Sequence, residues 1–353
     1  MPTANPTAGQ PPTNAPTQLR ARRVKTWSSF GQLGRKPTEY EVVTHNLNHT
    51  TSFNPPLEMG PEVHGNQWLI KHRNANALKV AKLDTFRDPD QMTYRKYTQA
   101  MDEQETYVDG LLRQDSEGAA GDKTLNAQQL DFLATNLTPA RYLGHGLQMI
   151  SAYVQQLASS SYVGNCAAFQ TADQLRRVQR VAYRTRQLSD AHPEHGFGTR
   201  ERATWEKDPD WQPIREAIEK VMVAYDWDKA FVGLNLVVKP LADELFLRAF
   251  ADQARQLGCG LDAMLADNLM ADAQRSRRWT AQACAAMREA DAGNQAVLME
   301  LLATWKPLGL NMIGAGSRLL ARIATPSNAQ AIAESTTAGW NVFLTECGLL
   351  AND

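Results

Sequence analysis

The sequence predicts an all-α fold, a large bundle of long helices, on three observations. Apolar residues recur at helical spacing through most of the chain beyond Asp88. No segment sustains the alternation of a half-buried strand. Between Arg141 and Asp173 there is no Asp, Glu, Lys or Arg at all. His145, Gln148, Gln155, Gln156 and Asn165 interrupt that run, which argues against a membrane span. A helix uncharged most of the way round belongs instead at the centre of a sizeable bundle. Leu143, Leu147, Ile150, Val154 and Leu157 share one helical face, and Ala168, Ala172, Leu175, Val178 and Ala182 are expected to form a second. Gln174 and Arg177 fall outside that second stripe.

Composition narrows the class. The 353 residues, 43% hydrophobic with a formal charge of −1, suffice for one large domain or two smaller ones. The near-neutral balance supplies no field for nucleic acid or an anionic membrane. Cys166, Cys259, Cys284 and Cys347 form no C-x-x-C pair and read as reduced core thiols. No apolar h-region follows the first basic residues, so a cytoplasmic location without a signal peptide is expected.

Residues 1–23, rich in Thr and Pro, are expected to be a disordered tail. Residues 24–86 read as an extended N-terminal arm. Pro37, Pro55, Pro56 and Pro61 break long helices there, and Val42, Val43 and Thr44 favour an extended chain. Glu41, His45 and His49 would converge on a metal only in a helix, so that reading is disfavoured. Trp27, Phe30, Tyr40, Phe53 and Trp68 suggest anchors for wrapping over this chain's own bundle or a partner.

The helical domain is expected over residues 87–325, with a C-terminal segment at 326–353. Asp88-Pro89 offers an N-cap and first helical residue for a helix carrying Tyr94, Tyr97, Met101, Val108, Leu111 and Leu112. A loop at 115–124 and a helix near 126–136 follow, and Thr138-Pro139 opens the long uncharged helix. Asp208-Pro209 and Gln212-Pro213 start another helix. Asp226-Trp227-Asp228 should cap one that reaches Gln256 and kinks at Pro240. Further helices are expected over 261–290 and 294–323, the latter kinked or broken at Pro307. Gly314-Ala315-Gly316 follows no strand, so close helix packing is favoured over phosphate binding.

Di-iron bundles use Glu-x-x-His on two helices and a Glu from each of two others. No Glu or Asp in this chain has His three residues later, and no His follows His195. Two boxes of similar shape are nonetheless present: Asp173-Gln174-Leu175-Arg176-Arg177 is echoed by Asp272-Ala273-Gln274-Arg275-Ser276. Each has Asp, two residues, then Arg. There is no G-x-S-x-G and no P-loop. The arginines at 176, 177, 180, 184, 186, 275, 277 and 278 are expected on solvated faces or in salt bridges between subunits, not on a nucleic-acid patch.

Several stretches resemble the beta subunit of the hydroxylase component of soluble bacterial multicomponent di-iron monooxygenases, the toluene, benzene and alkene group. They include Lys25-Thr26-Trp27-Ser28, Lys36-Pro37-Thr38-Glu39-Tyr40, Asp88-Pro89-Asp90-Gln91, Ser151-Ala152-Tyr153-Val154-Gln155-Gln156, Gln170-Thr171-Ala172-Asp173, Ala182-Tyr183-Arg184-Thr185 and Leu234-Asn235-Leu236-Val237-Val238-Lys239-Pro240. The resemblance implies a ferritin-like (ribonucleotide-reductase-like) subunit without catalytic, cofactor or metal residues of its own. Alpha subunits of such systems carry Asp-Glu-x-Arg-His boxes. By position Gln174 and Arg177 replace Glu and His in the first box, and Ala273 and Ser276 replace them in the second. The carboxylate between the boxes would fall near Lys239 or Pro240. The resemblance further implies a di-iron centre in a partner alpha subunit and an α2β2γ2 assembly with alpha and gamma. An effector protein, a Rieske ferredoxin and an NADH reductase complete the system, which inserts one oxygen atom from O₂ into an aromatic hydrocarbon or alkene. The residues alone leave open a stand-alone ferritin-like metal oxidase or a helical scaffold. If the boxes face each other, Arg177 needs a carboxylate or carbonyl partner, since an unpaired buried guanidinium is very costly.

Overall fold

A computed structural model describes residues 35–45, 63–80, 83–117, 121–324 and 328–351. The expected tail, and Trp27, Phe30, His49 and Phe53 of the expected arm, lie outside them. The chain divides into two units, Met1–Val42 and Val43–Asp353. The described elements are all helical: α1 (Glu39–Thr44), α2 (His64–Asn74), α3 (Tyr94–Glu117), α4 (Ala127–Phe132), α5 (Ala140–Leu157), α6 (Ser161–Ala191), α7 (Glu201–Lys207), α8 (Gln212–Met222), α9 (Trp227–Phe231), α10 (Lys239–Asp243), α11 (Phe250–Gln256), α12 (Gly260–Ala290), α13 (Asn294–Ala324) and α14 (Ala329–Glu346). Wider-pitched π segments follow α4, α9 and α10, at Leu133–Leu137, Val232–Val238 and Glu244–Ala249. Among the described residues no helix is long and apolar enough to cross a membrane.

Two parts of the expected extended arm are helical. In the first unit Thr38 caps α1: its backbone N–H donates to Glu41 Oε2 at 2.9 Å, and the Glu41 N–H donates back to Thr38 Oγ1 at 3.2 Å. Arg35 clamps the same Glu41 carboxylate with two bonds of 2.8 Å, so that carboxylate already has its cation. In the second unit α2 is tied down from outside: His72 Nδ1 lies 2.9 Å from Asp226 Oδ1, and Trp68 packs on His72 and Tyr225. Asp226 and Asp228 thus serve this junction and not simply a helix cap. The Ala77 N–H donates to Asp228 Oδ2 at 2.6 Å.

Asp88 likewise caps a turn and not a helix. Its carboxylate accepts the N–H groups of Asp90 and Met92, and α3 starts only at Tyr94, where the Lys96 N–H reaches Thr93 Oγ1. The long uncharged helix is an antiparallel hairpin, α5 and α6, broken at Ala158–Ser160. Ser160 Oγ accepts the Tyr162 N–H and caps α6. The expected kink at Pro240 becomes a run of α and π segments. Proline has no N–H for the Leu236 carbonyl one turn back, and the Trp340 indole donates to it instead at 2.7 Å. α13 runs unbroken through Pro307. Gly316 is where helices touch, since an added Cβ would lie 2.7 Å from Leu245 Cδ1; Gly314 meets nothing closer than 3.6 Å.

The first stripe is as expected: Leu143, Leu147, Ile150, Val154 and Leu157 are buried. The second is only partly buried. Leu175 is 46% exposed and Ala182 is exposed, whereas Gln170, Asp173, Gln174, Arg176, Arg177 and Arg184 are buried. The buried side of α6 therefore combines apolar Tyr162, Val163, Ala167, Val181 and Leu188 with a polar stretch from Gln170 to Arg177 and Arg184, while Ala168, Ala172 and Val178 are half-buried.

Candidate functional site

The polar face of α6 meets α10 and α12, and its residues are held in three groups. In the first, Arg177 Nη1 donates to Asp243 Oδ1 at 3.1 Å, and Lys239 Nζ, one turn before Asp243, donates to Asp243 Oδ2 at 2.7 Å. All three side chains are at most 5% exposed. Burial pushes the Arg177 guanidinium below its ordinary range, and the Asp243 carboxylate opposes that shift. Arg177 therefore has the partner its burial demands.

The second group joins the two boxes crosswise. Arg176 of the first box donates to Asp272 of the second at 2.8 Å, and Arg275 of the second donates to Asp173 of the first at 2.5 Å. Tyr97 Oη adds a bond to Asp173 Oδ1 at 3.0 Å, while Arg176 also reaches Glu105 and Asn268. Burial lifts the Asp173 carboxyl to about 7, against the pull of Arg275. It lifts the Tyr97 phenol as well, helped by the Asp173 charge. Further along α6, Arg184 binds Asp262 Oδ1 at 2.7 Å and Asp122 Oδ1 at 2.6 Å. Burial opposes the Arg184 charge, but the two carboxylates outweigh it and raise its pKa.

The third group is neutral. Gln170 Nε2 donates to Ser151 Oγ at 3.0 Å, Asn235 Nδ2 to Thr280 Oγ1 at 3.0 Å, and the two amides bond each other, joining α5, α6, the π segment at Val232–Val238 and α12. The expectation of solvated or intersubunit arginines thus fails for Arg176, Arg177, Arg184 and Arg275, which are buried in ion pairs within the chain. It holds for Arg186, which is 77% exposed at its side chain.

Gln174, Arg177, Ala273 and Ser276 are all buried. What the structure brings together is the Asp and Arg of each box, with Arg177 reaching Asp243. Gln174 Oε1 and Ser276 Oγ have no hydrogen-bond partner among the described residues. Asp243 went unnamed in the sequence, although its i, i+4 spacing from Lys239 inside an apolar run was a usable signal. The residues do not fit a di-iron centre. The Asp243 carboxylate is already shared by an ammonium and a guanidinium, whose charges would repel a dication. Among the described residues no three His, Cys, Asp or Glu side chains converge as ligands.

Long helices packed around a buried polar centre define a helical-bundle protein, and its structural neighbours are ferritin-like hydroxylase subunits. The chain belongs to the methane/phenol/alkene hydroxylase family, whose model matches residues 68–291. It is 41% identical over 288 residues to the beta subunit of the hydroxylase component of the toluene-4-monooxygenase system of Ectopseudomonas mendocina, covering 81% of this chain and 87% of that one. Identity to the small subunit of the propane 2-monooxygenase hydroxylase component of Rhodococcus jostii (strain RHA1) is 26%, over 65% of this chain and 62% of that one. A chain of toluene 4-monooxygenase, solved with toluene in the resting active site, superposes with a TM-score of 0.78 at 38% identity, over 86% of this chain and 99% of that chain. Phenol hydroxylase from Pseudomonas sp. OX1, solved under xenon, gives 0.77 at 18% identity over 97% and 99%, and shares the fold.

Proposed function

We propose that this chain is the non-catalytic beta subunit of the hydroxylase component of a multicomponent monooxygenase, an oxidoreductase acting on an aromatic hydrocarbon or alkene with NADH as reductant. The observation that carries the reading is the Lys239–Asp243–Arg177 cluster, two cations on one carboxylate where relatives with a metal centre would need anionic and imidazole ligands. Gln174, Arg177, Ala273 and Ser276 are the former ligand positions. The 41% identity to a toluene-4-monooxygenase beta subunit supports the same reading.

On this proposal the di-iron centre lies in a partner alpha subunit, and the assembly is α2β2γ2. An effector protein, a Rieske ferredoxin and an NADH reductase serve it in the cytoplasm. The division into a tail at 1–23, an arm at 24–86, a helical domain at 87–325 and a C-terminal segment at 326–353 belongs to the same proposal. The test is to purify the chain alone and together with the products of its neighbouring genes, then measure iron and oligomeric state. Iron is expected only in the complex. Stoichiometric iron in the isolated chain overturns the non-catalytic reading, and failure to join any alpha-like subunit overturns the subunit reading.

A further inference from the structure

Beside the crosswise pairs, between α6, α12 and the turn held by Asp88, lies a cavity of about 10 Å³, lined in part by Asp173, Arg275, Ser276 and Trp279. Each of these four residues is at least nine-tenths buried. Each also has one polar atom without a hydrogen-bond partner among the described residues: Asp173 Oδ2, Arg275 Nε, Ser276 Oγ and Trp279 Nε1. The other polar linings are satisfied. Both Asp88 oxygens accept backbone N–H groups, and Gln170 is bonded to Ser151 and Asn235.

The four open atoms specify their ligand. Guanidinium Nε–H and indole Nε1–H can only donate, the Asp173 oxygen accepts when ionised, and the serine hydroxyl does either. A cation would meet two N–H donors, and an anion would meet the Asp173 carboxylate wherever that group is ionised, above about pH 7. An apolar gas molecule would leave all four groups unpaired. The remaining ligand accepts two bonds, donates two and fits a volume on the order of 10–15 Å³, the space one water needs. We propose that this cavity is a built site for a single buried water molecule, which links the first-box carboxylate Asp173 to Arg275, Ser276 and Trp279 on α12. Ser276 then has a role beyond being a replaced ligand, since its hydroxyl completes the shell that joins the two boxes. The inference stands whether or not the chain is an oxygenase subunit, because it rests on the cavity and its lining atoms alone.

The test is an experimental structure of the full chain, in its complex where partners co-purify, at about 2 Å or better, with a second structure of Trp279→Phe. One density peak is expected within about 2.7–3.2 Å of at least three of the four atoms. In Trp279→Phe the same peak should persist on Asp173, Arg275 and Ser276, because those three groups remain while phenylalanine removes the indole N–H donor and part of the ring's volume. No peak in the wild-type map, or the four atoms bonded directly to one another, overturns the proposal. If Trp279→Phe does not fold, the wild-type map decides alone.

Discussion

Within the Arg177–Asp243–Lys239 cluster one carboxylate faces two cations, so the three members are not equally expendable. Asp243→Asn keeps the shape but leaves an ammonium and a guanidinium buried without a counter-charge. Breaking a buried pair from one side costs about 3–5 kcal/mol, and here two charges are orphaned by one change. Arg177→Met instead leaves Lys239 and Asp243 as a neutral pair at 2.7 Å. It forfeits one charge-assisted bond, about 1.5–3 kcal/mol, and recovers the desolvation of a guanidinium whose pKa burial already depresses. The net cost should be about 0–2 kcal/mol. In the Arg177→Met background, Asp243→Asn should cost less than it does alone, a coupling on the order of 1–3 kcal/mol. Urea unfolding followed by far-UV circular dichroism on the four proteins of this cycle measures all three quantities. The reasoning is refuted if Arg177→Met costs as much as Asp243→Asn, or if the two changes simply add.

Three further outcomes are expected. Because burial lifts the Asp173 carboxyl to about 7, the folded chain holds a proton there that the unfolded chain has lost above about pH 4. The contribution of this group to stability is therefore full below about pH 4 and is lost as pH rises through about 7, so in pH-dependent melting wild type should lose stability relative to Asp173→Asn over that window. Gly316→Ala, whose Cβ would meet Leu245 Cδ1 at 2.7 Å, should destabilise by about 1–3 kcal/mol. Gly314→Ala should be neutral or stabilising by up to about 1 kcal/mol, because only Arg318 Nη1 at 3.6 Å lies near and alanine is the better helix former; chemical denaturation of both variants separates the two glycines.

What the sequence made legible follows from how local each signal is. The helices over Gly260–Ala290 and from Ala127 onward depend on neighbours three or four residues apart, and both emerge close to where they are expected, the second with a capping box at Asn126 that was not foreseen. The break between α5 and α6 left only a weak trace, Ser159-Ser160-Ser161, in a run with no glycine or proline at the break. α1 and α2 form where prolines and β-branched residues favour an extended chain, because Arg35, Thr38 and Glu41 fix one and His72 and Asp226 anchor the other. The largest departure from expectation is α6. An apolar stripe is normally the buried one, but Leu175 faces out and Arg176, Arg177 and Arg184 face in. Periodicity reports that two faces differ; which one turns inward depends on Asp243, Asp262 and Asp272, dozens of residues away. The repeat of Asp-x-x-Arg was the one local sign that the polar face had a partner of its own kind.

The buried charges of α6 also contribute to the architecture. Apolar stripes tolerate sliding, since one methyl contact replaces another at similar energy, whereas an ion pair between helices fits at one register. Arg176–Asp272 and Arg275–Asp173 join α6 to α12 in both directions, Arg184–Asp262 joins them again further along, and Arg177–Asp243 fixes α6 to α10. A shift of α12 by one helical turn, about 5.4 Å, would break three of these four pairs together and bury their charges unpaired. Well-packed apolar residues could stabilise the same bundle as much or more, so the pairs are better explained by register than by stability. From this we infer that the buried arginine–aspartate pairs set α6, α10 and α12 in their places relative to one another.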